Sequence, residues 1–219
     1  MRSWRYPRPC CCRTHPVAEE EVSPNVVAAA LALLGRLQSE PPTVHIALAQ
    51  VVEKEWSDLH ASKLKESEAS VRRADEKISY LWGIASTMNS APAGSYVQFR
   101  SLRFPQRLHD VAEKIVRFAR VIEGNEDFQR AVGLRIGAGA ASAAPRRPEY
   151  GDCLLTEQYL DLCLRLRANG FTHPCVFVSS NTRDFGEPKA PRPPLDREFR
   201  SIQLDFAYDF AAAEALLES

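Results

Sequence analysis

No charge of either sign is in excess in this chain: 28 Lys and Arg stand against 28 Asp and Glu, so the formal net charge is zero. A polyanion-binding surface is usually announced by a basic surplus, so the balance leaves room only for a local patch. Long apolar runs are also missing. The longest, Val26 to Leu34, falls well short of the roughly 20 residues a membrane-spanning helix needs. The head, "MRSWRYPRPCCCRTHP", has Arg and Pro but no apolar stretch of signal-peptide length. The six cysteines, three of them adjacent at Cys10 to Cys12, have neither CxxC spacing nor a Cys/His pattern for zinc. That excludes an evident disulfide framework and points to reduced thiols in a cytoplasmic protein. HExxH is absent, and His15, His45, His60, His109 and His173 fall in separate segments, which reads them as surface or packing residues. "GLRIGAGA" precedes no P-loop lysine and is not a nucleotide cradle.

What is present is ordinary globular composition. With 45% hydrophobic and 26% charged residues, the chain has the means to build a core and stay in water. Residues 1–22 read as an irregular segment and 23–219 as one domain. "SPNVVAAALALLGRLQSEPP" reads as a helix, with Pro24 in the first turn and a Pro-Pro stop. Thr43 to Val52 is β-branched and apolar enough for a buried strand that hands over to a helix near Glu53. From Glu55 to about Ser86 the apolar residues recur at helical spacing among many charges, as one long helix or two. Pro105 to Ile122 reads as another amphipathic helix, and Gly133 to Gly151 as a mobile loop of small residues. A helix from Asp152 ends at Gly170, the strand Cys175 to Ser179 follows, and a Pro-rich connector leads to the strand "SIQLDF" and a last helix. Alternation of this kind predicts an α/β fold with a mainly parallel sheet.

In open parallel sheets, functional groups collect where strands end and helices begin. Glu53 and Glu55 after the first strand, Asp184 after the strand Cys175 to Ser179, and Asp152 at a helix start all meet that condition. Carboxylates brought together repel one another unless a cation lies among them, and Mg2+ or Mn2+ suits oxygen ligands. The polar run Ser179, Ser180, Asn181, Asp184 would then line a metal and phosphate site, with Arg146 and Arg147 able to touch a phosphate backbone.

The segments "IALAQVVEKEW", "GDCLLTEQYLDL" and "VFVSSNTRDF", in this order, resemble the PIN-like nuclease domain family, in particular a bacterial subfamily, over roughly residues 23 to 217. The resemblance implies a three-layer α/β/α sandwich around a parallel sheet. It also implies an acidic cluster binding Mg2+ or Mn2+ and hydrolysis of single-stranded RNA. It further implies, as partners, an antitoxin or other protein, or a second copy in a homodimer. Position by position it puts the metal-binding and catalytic acids at Glu55, with Glu53 as alternative, at Asp152, with Glu157 as helper, and at Asp184. Arg146, Arg147, Asn181 and Arg183 fall to the substrate. Many members carry "TND" where this chain has Thr182 in the aspartate's place, and members usually begin with a strand ending in Asp. Here "CCCRTHPVAEEEVSPN" stands in that position, with Glu19, Glu20 and Glu21 as its acids. A missing central strand would leave two sheet edges unpaired.

Simpler roles compete for each residue. Asp152 suits a helix N-cap, Asp184 can close a turn with Asn181, and Glu53 and Glu55 can complement the positive end of their helix. The corresponding functional alternative is a non-catalytic PIN-like module that binds RNA or protein. A third possibility, another small phosphorylated ligand, predicts nucleotide binding without strand cleavage.

Overall fold

The computed structural model describes residues 24–88, 96–138, 150–187 and 190–218. The head, the segment holding Arg146 and Arg147, and most of the expected loop therefore lie outside the described residues. Helix α1 spans Pro24–Gln38, strand β1 Ala47–Ala49, and α2 Gln50–Thr87. After a 3-10 turn at Phe99–Leu102 come α3 (Phe104–Phe118), β2 (Arg120–Ile122) and α4 (Glu126–Gly137). Then follow α5 (Tyr150–Ala168), β3 (Cys175–Val178), α6 (Thr182–Phe185), β4 (Gly186–Glu187) and β5 (Ala190–Pro191). The chain closes with α7 (Leu195–Ser201), β6 (Leu204–Ala207) and α8 (Phe210–Leu217).

The fold is mixed α/β, and its strands are few and short. Among the described residues they form two parallel pairs, β1 with β2 and β3 with β6, and a small antiparallel pair of β4 with β5. Each parallel pair has its own apolar cluster. Cys163, Phe177, Phe185, Leu195, Phe199 and Phe206 pack around β3 and β6. Leu34, Leu37 and Ile115, with Val44 and Ile46, pack beside β1. Helix α1 joins the halves by lying against both α3 and α8.

Several expectations shift at the element ends. The strand expected over Thr43 to Val52 contracts to three residues, and helix begins at Gln50, so Val51 and Val52 are helical despite their β-branching. Packing of α2 overrides that local preference. The helix expected to run to Ile122 stops at Phe118, because Arg120, Val121 and Ile122 pair with Ala47, Leu48 and Ala49. Gly133 to Gly137, expected in a loop, belong to α4: Asn125 caps it by accepting from the Phe128 amide at 2.9 Å, and Phe128 and Val132 are buried. The Pro-rich connector contains α7, which buries Leu195 and Phe199. The long region after Glu55 is a single helix, α2.

Two glycines are required by conformation. Gly170 has φ +80 beyond the end of α5, where Phe171 N–H bonds to Leu166 O at 3.0 Å, the C-terminal arrangement the sequence announces. At Gly186, φ is +107 and an added Cβ would meet Ala190 O and Arg192 N at 2.6 Å.

The outward edge of β1 is closed by a side chain. Arg120 N–H bonds to Ile46 O, so the alternating backbone groups of Ala47 and Ala49 point away from β2. The Tyr159 hydroxyl donates to Ala47 O at 3.2 Å and accepts from Ala49 N–H at 3.1 Å. The other side of the same ring meets Phe177 of β3 at a centroid distance of 5.4 Å. Tyr159 thus spans from one strand pair to the other.

Asp75, midway along α2, is buried and gathers the segment that follows the helix. Its carboxylate accepts from the Tyr96 hydroxyl at 2.5 Å, the Phe99 amide at 2.7 Å and the Arg100 amide at 2.8 Å. Burial alone would raise its pKa, but the Tyr96 hydroxyl and the two amides together bring the carboxyl below its ordinary value. A depressed carboxylate stabilises where an unfolded aspartate is charged, above about pH 3.9, and the contribution disappears as pH falls through the lower folded value. We expect the amide resonances of Phe99 and Arg100 to keep their downfield, protected character through the ordinary aspartate range and to lose it only as pH falls through the lowered folded value, while α2 stays helical. Asp75→Asn should remove that pH dependence; an unchanged titration in the variant would assign it elsewhere.

Candidate functional site

β1 leads directly into Gln50, and β2 reaches Gly124 two residues after its end, so both carboxyl ends open on the same side. There a cleft of roughly 620 Å³ separates α2 from α5. On the α2 side, Glu53 and Ser57 form one i, i+4 row and Lys54 and Asp58 the next. Leu154 and Gln158 of α5 stand opposite, with Gly124 between. The Gly124 amide donates to Gln50 Oε1 at 3.1 Å, fixing the loop after β2 to the start of α2.

Gln158 is fully buried. Its Nε2 donates to Ile122 O at 3.2 Å, while its Oε1 has no hydrogen-bond donor within reach. A buried carbonyl left unpaired costs on the order of 1–3 kcal/mol, so its place in the cleft wall marks a position where a donor or cation would be favoured. Sequence reasoning missed this residue, because a glutamine within a charged helix reads as solvated. Cys153, Thr156 and Cys163 of the same helix are buried too, but at about 100° per residue they fall on a different side of α5 from Gln158, so helical phase does not single it out.

The expected site residues are distributed around this cleft and beyond it. Glu53 lies in the first turn of α2 and lines the cleft; Glu55 does not. Glu55 is half-buried, and desolvation holds its carboxyl above the usual range. Asp152 sits inside the first turn of α5, two residues past its start at Tyr150, so it complements the helix dipole rather than capping the helix. Glu157, expected as a helper to the metal, is committed to an ion pair with Arg135 of α4. Asp184 follows β3 as expected, and its Oδ2 accepts from Asn181 Nδ2 at 2.8 Å, the turn-closing contact. Arg183 beside it is exposed.

Among the described residues, one group of three or more His, Cys, Asp or Glu brings its ligand atoms within 4.8 Å of one another, and it is His109, Asp110 and Glu113. Glu55, Asp152 and Asp184 are not in it. A hard cation fits the cleft by donor type instead: Glu53 and Asp58 offer exposed carboxylates, and Mg2+ uses one or two carboxylates while keeping waters and substrate oxygens.

No protein-family model, curated protein or solved structure matches the chain. No helix among the described residues is long and apolar enough to cross a membrane. Cys153, Cys163 and Cys175 carry no disulfide, and burial together with the adjacent Cys175 pushes the Cys163 thiol up to about 11, far from a reactive thiolate.

Proposed function

We propose that the chain is a PIN-like domain that hydrolyses phosphodiester bonds of single-stranded RNA with Mg2+ or Mn2+, its strand pairs belonging to one parallel sheet between helical layers. The observation that carries this reading is the acid-lined cleft at the carboxyl ends of β1 and β2, backed by the unpaired carbonyl of Gln158. Glu53 and Asp58 would hold the cation. When bound, the cation supplies Lewis acidity and a water of lowered pKa. Lys54 places a positive charge in the same wall, suited to a phosphate oxygen, and Arg183 gives a second contact for the backbone.

A second reading is favoured by the engagement of Asp184 with Asn181 and of Glu157 with Arg135. On it the acids serve the fold, and the domain binds RNA or a protein without cleaving. One assay separates the two. With end-labelled single-stranded RNA and Mn2+, we expect cleavage that EDTA stops and that Glu53→Gln and Asp58→Asn each lower by about 100-fold or more. RNA retained uncut by a folded chain selects the RNA-binding module, and neither cleavage nor retention sinks the nuclease reading and leaves protein binding alone.

A further inference from the structure

The sequence keeps His60 and His109 49 residues apart, but the fold brings them together. Helix α2 packs against α3, and His60 Nδ1 lies 3.0 Å from His109 Nε2. The Trp56 ring stacks on both imidazoles, at 5.6 Å from His60 and 5.8 Å from His109, with interplanar angles of 19° and 27°. On α3, one turn beyond His109, Glu113 repeats the same helix face, and ligand atoms of His109, Asp110 and Glu113 all lie within 4.8 Å of one another. Both imidazoles are half-buried, whereas both carboxylates are exposed. His60 stands outside that 4.8 Å group and meets it through His109 alone, so the exposed Asp110 and Glu113 side chains reach an ion held between the two imidazoles by turning toward it.

Two nitrogens bound to one tetrahedral zinc at about 2.05 Å are about 3.3 Å apart, close to the separation already present. Each neutral imidazole then keeps its one proton on the nitrogen facing away, and both inner nitrogens offer lone pairs. Imidazole with carboxylate selects zinc and its borderline neighbours over Mg2+, the cation suited to the all-oxygen cleft.

We propose that His60, His109, Asp110 and Glu113 form a zinc-class metal site that clamps α2 to α3, separate from the cleft and independent of the proposed hydrolysis. The Trp56 ring supports the two imidazoles from one side and so also reports on them.

The test uses the full chain stripped of metal with a chelator and then titrated with Zn2+ and with Co2+. The expected result is one ion per chain at this site, a change in Trp56 fluorescence, and visible Co2+ absorption of tetrahedral intensity. His60→Ala and His109→Ala should each weaken binding by about tenfold or more, and Glu113→Gln should weaken it less. Because Cys10, Cys11 and Cys12 could hold zinc themselves, Cys10→Ser/Cys11→Ser/Cys12→Ser is the control that must leave the fluorescence change intact. Absence of Zn2+ binding, binding unaffected by His109→Ala in a chain of unchanged circular dichroism, or binding lost only with the cysteines would each overturn the proposal. Mg2+ in excess should not displace the ion; if it does, the site is of another kind.

Discussion

Replacing Arg135 with Met is expected to cost about 3–5 kcal/mol of unfolding free energy, measured by urea denaturation. The Arg135 side chain is only 6% exposed. Its Nε donates to Glu157 Oε1 at 2.5 Å, and its two terminal nitrogens donate to the two oxygens of Glu198 at 3.0 Å each. One guanidinium thus ties α4 to α5 and α7, with the planar fork matched to a carboxylate. Removing it leaves Glu157, 19% exposed, as a charge without compensation, while Glu198, 32% exposed, regains some water. Most of the cost therefore arises at Glu157. Adding Glu157→Gln to Arg135→Met should recover part of the loss, because the stranded charge goes with it. A loss under about 1 kcal/mol for the single variant would show that the cluster is no more than a surface pair.

Phe177→Ala should be about as damaging, at about 3–5 kcal/mol, for a different reason. Phe177 of β3 is buried with four aromatic rings around it: Phe185 at 5.1 Å, Tyr159 at 5.4 Å, Phe199 at 5.6 Å and Phe206 at 5.9 Å. These rings come from α5, α6, α7 and β6, so the cavity left by truncation touches four elements at once. Three of the four contacts are edge-on, an arrangement a smaller aliphatic side chain cannot reproduce. Phe177→Leu should lose less by filling part of the void. Denaturant midpoints of the two variants, at equal slopes, decide this: an alanine variant as stable as the leucine variant would mean that the cluster collapses into the space.

What the sequence revealed was the long periodic elements. The start of α1 at Pro24, the glycine ending α5, and the strand around Phe177 follow from proline placement, spacing and β-branching, all local properties, whereas α5 begins two residues before the Asp152 read as its cap. What it hid was set by contacts across the fold. β2 is three residues whose pairing with β1 decides their state, and nothing in "RVI" separates a strand from the last turn of α3. α4 contains Gly133 and Gly137 and turns Arg135 inward, so its pattern reads as a basic loop until Glu157 and Glu198 are seen beside it. Asp75 looks like one more solvated charge on a long helix, though three donors from the following segment surround it. At the site, chain position correctly put acids after strands, but only helical phase and packing reveal that Glu53 faces the cleft and Glu55 does not. Arg146 and Arg147 lie outside the described residues.

The hydroxyl of Tyr159 engages the same pair of backbone groups on β1 that one residue of a parallel neighbour would engage. A phenol thereby acts as a stopper for a seam that other sheets close with a whole strand. Exposed seams of this kind let one copy of a protein recruit the next into a growing ribbon, and natural chains blunt them with charge, proline or a bulge. Here the blunting is done by a single oxygen carried on a side chain whose ring is already held in the core by Phe177. Self-adhesion at β1 is thus guarded by the same residue that joins the two halves of the fold, so loosening that joint also unguards the seam.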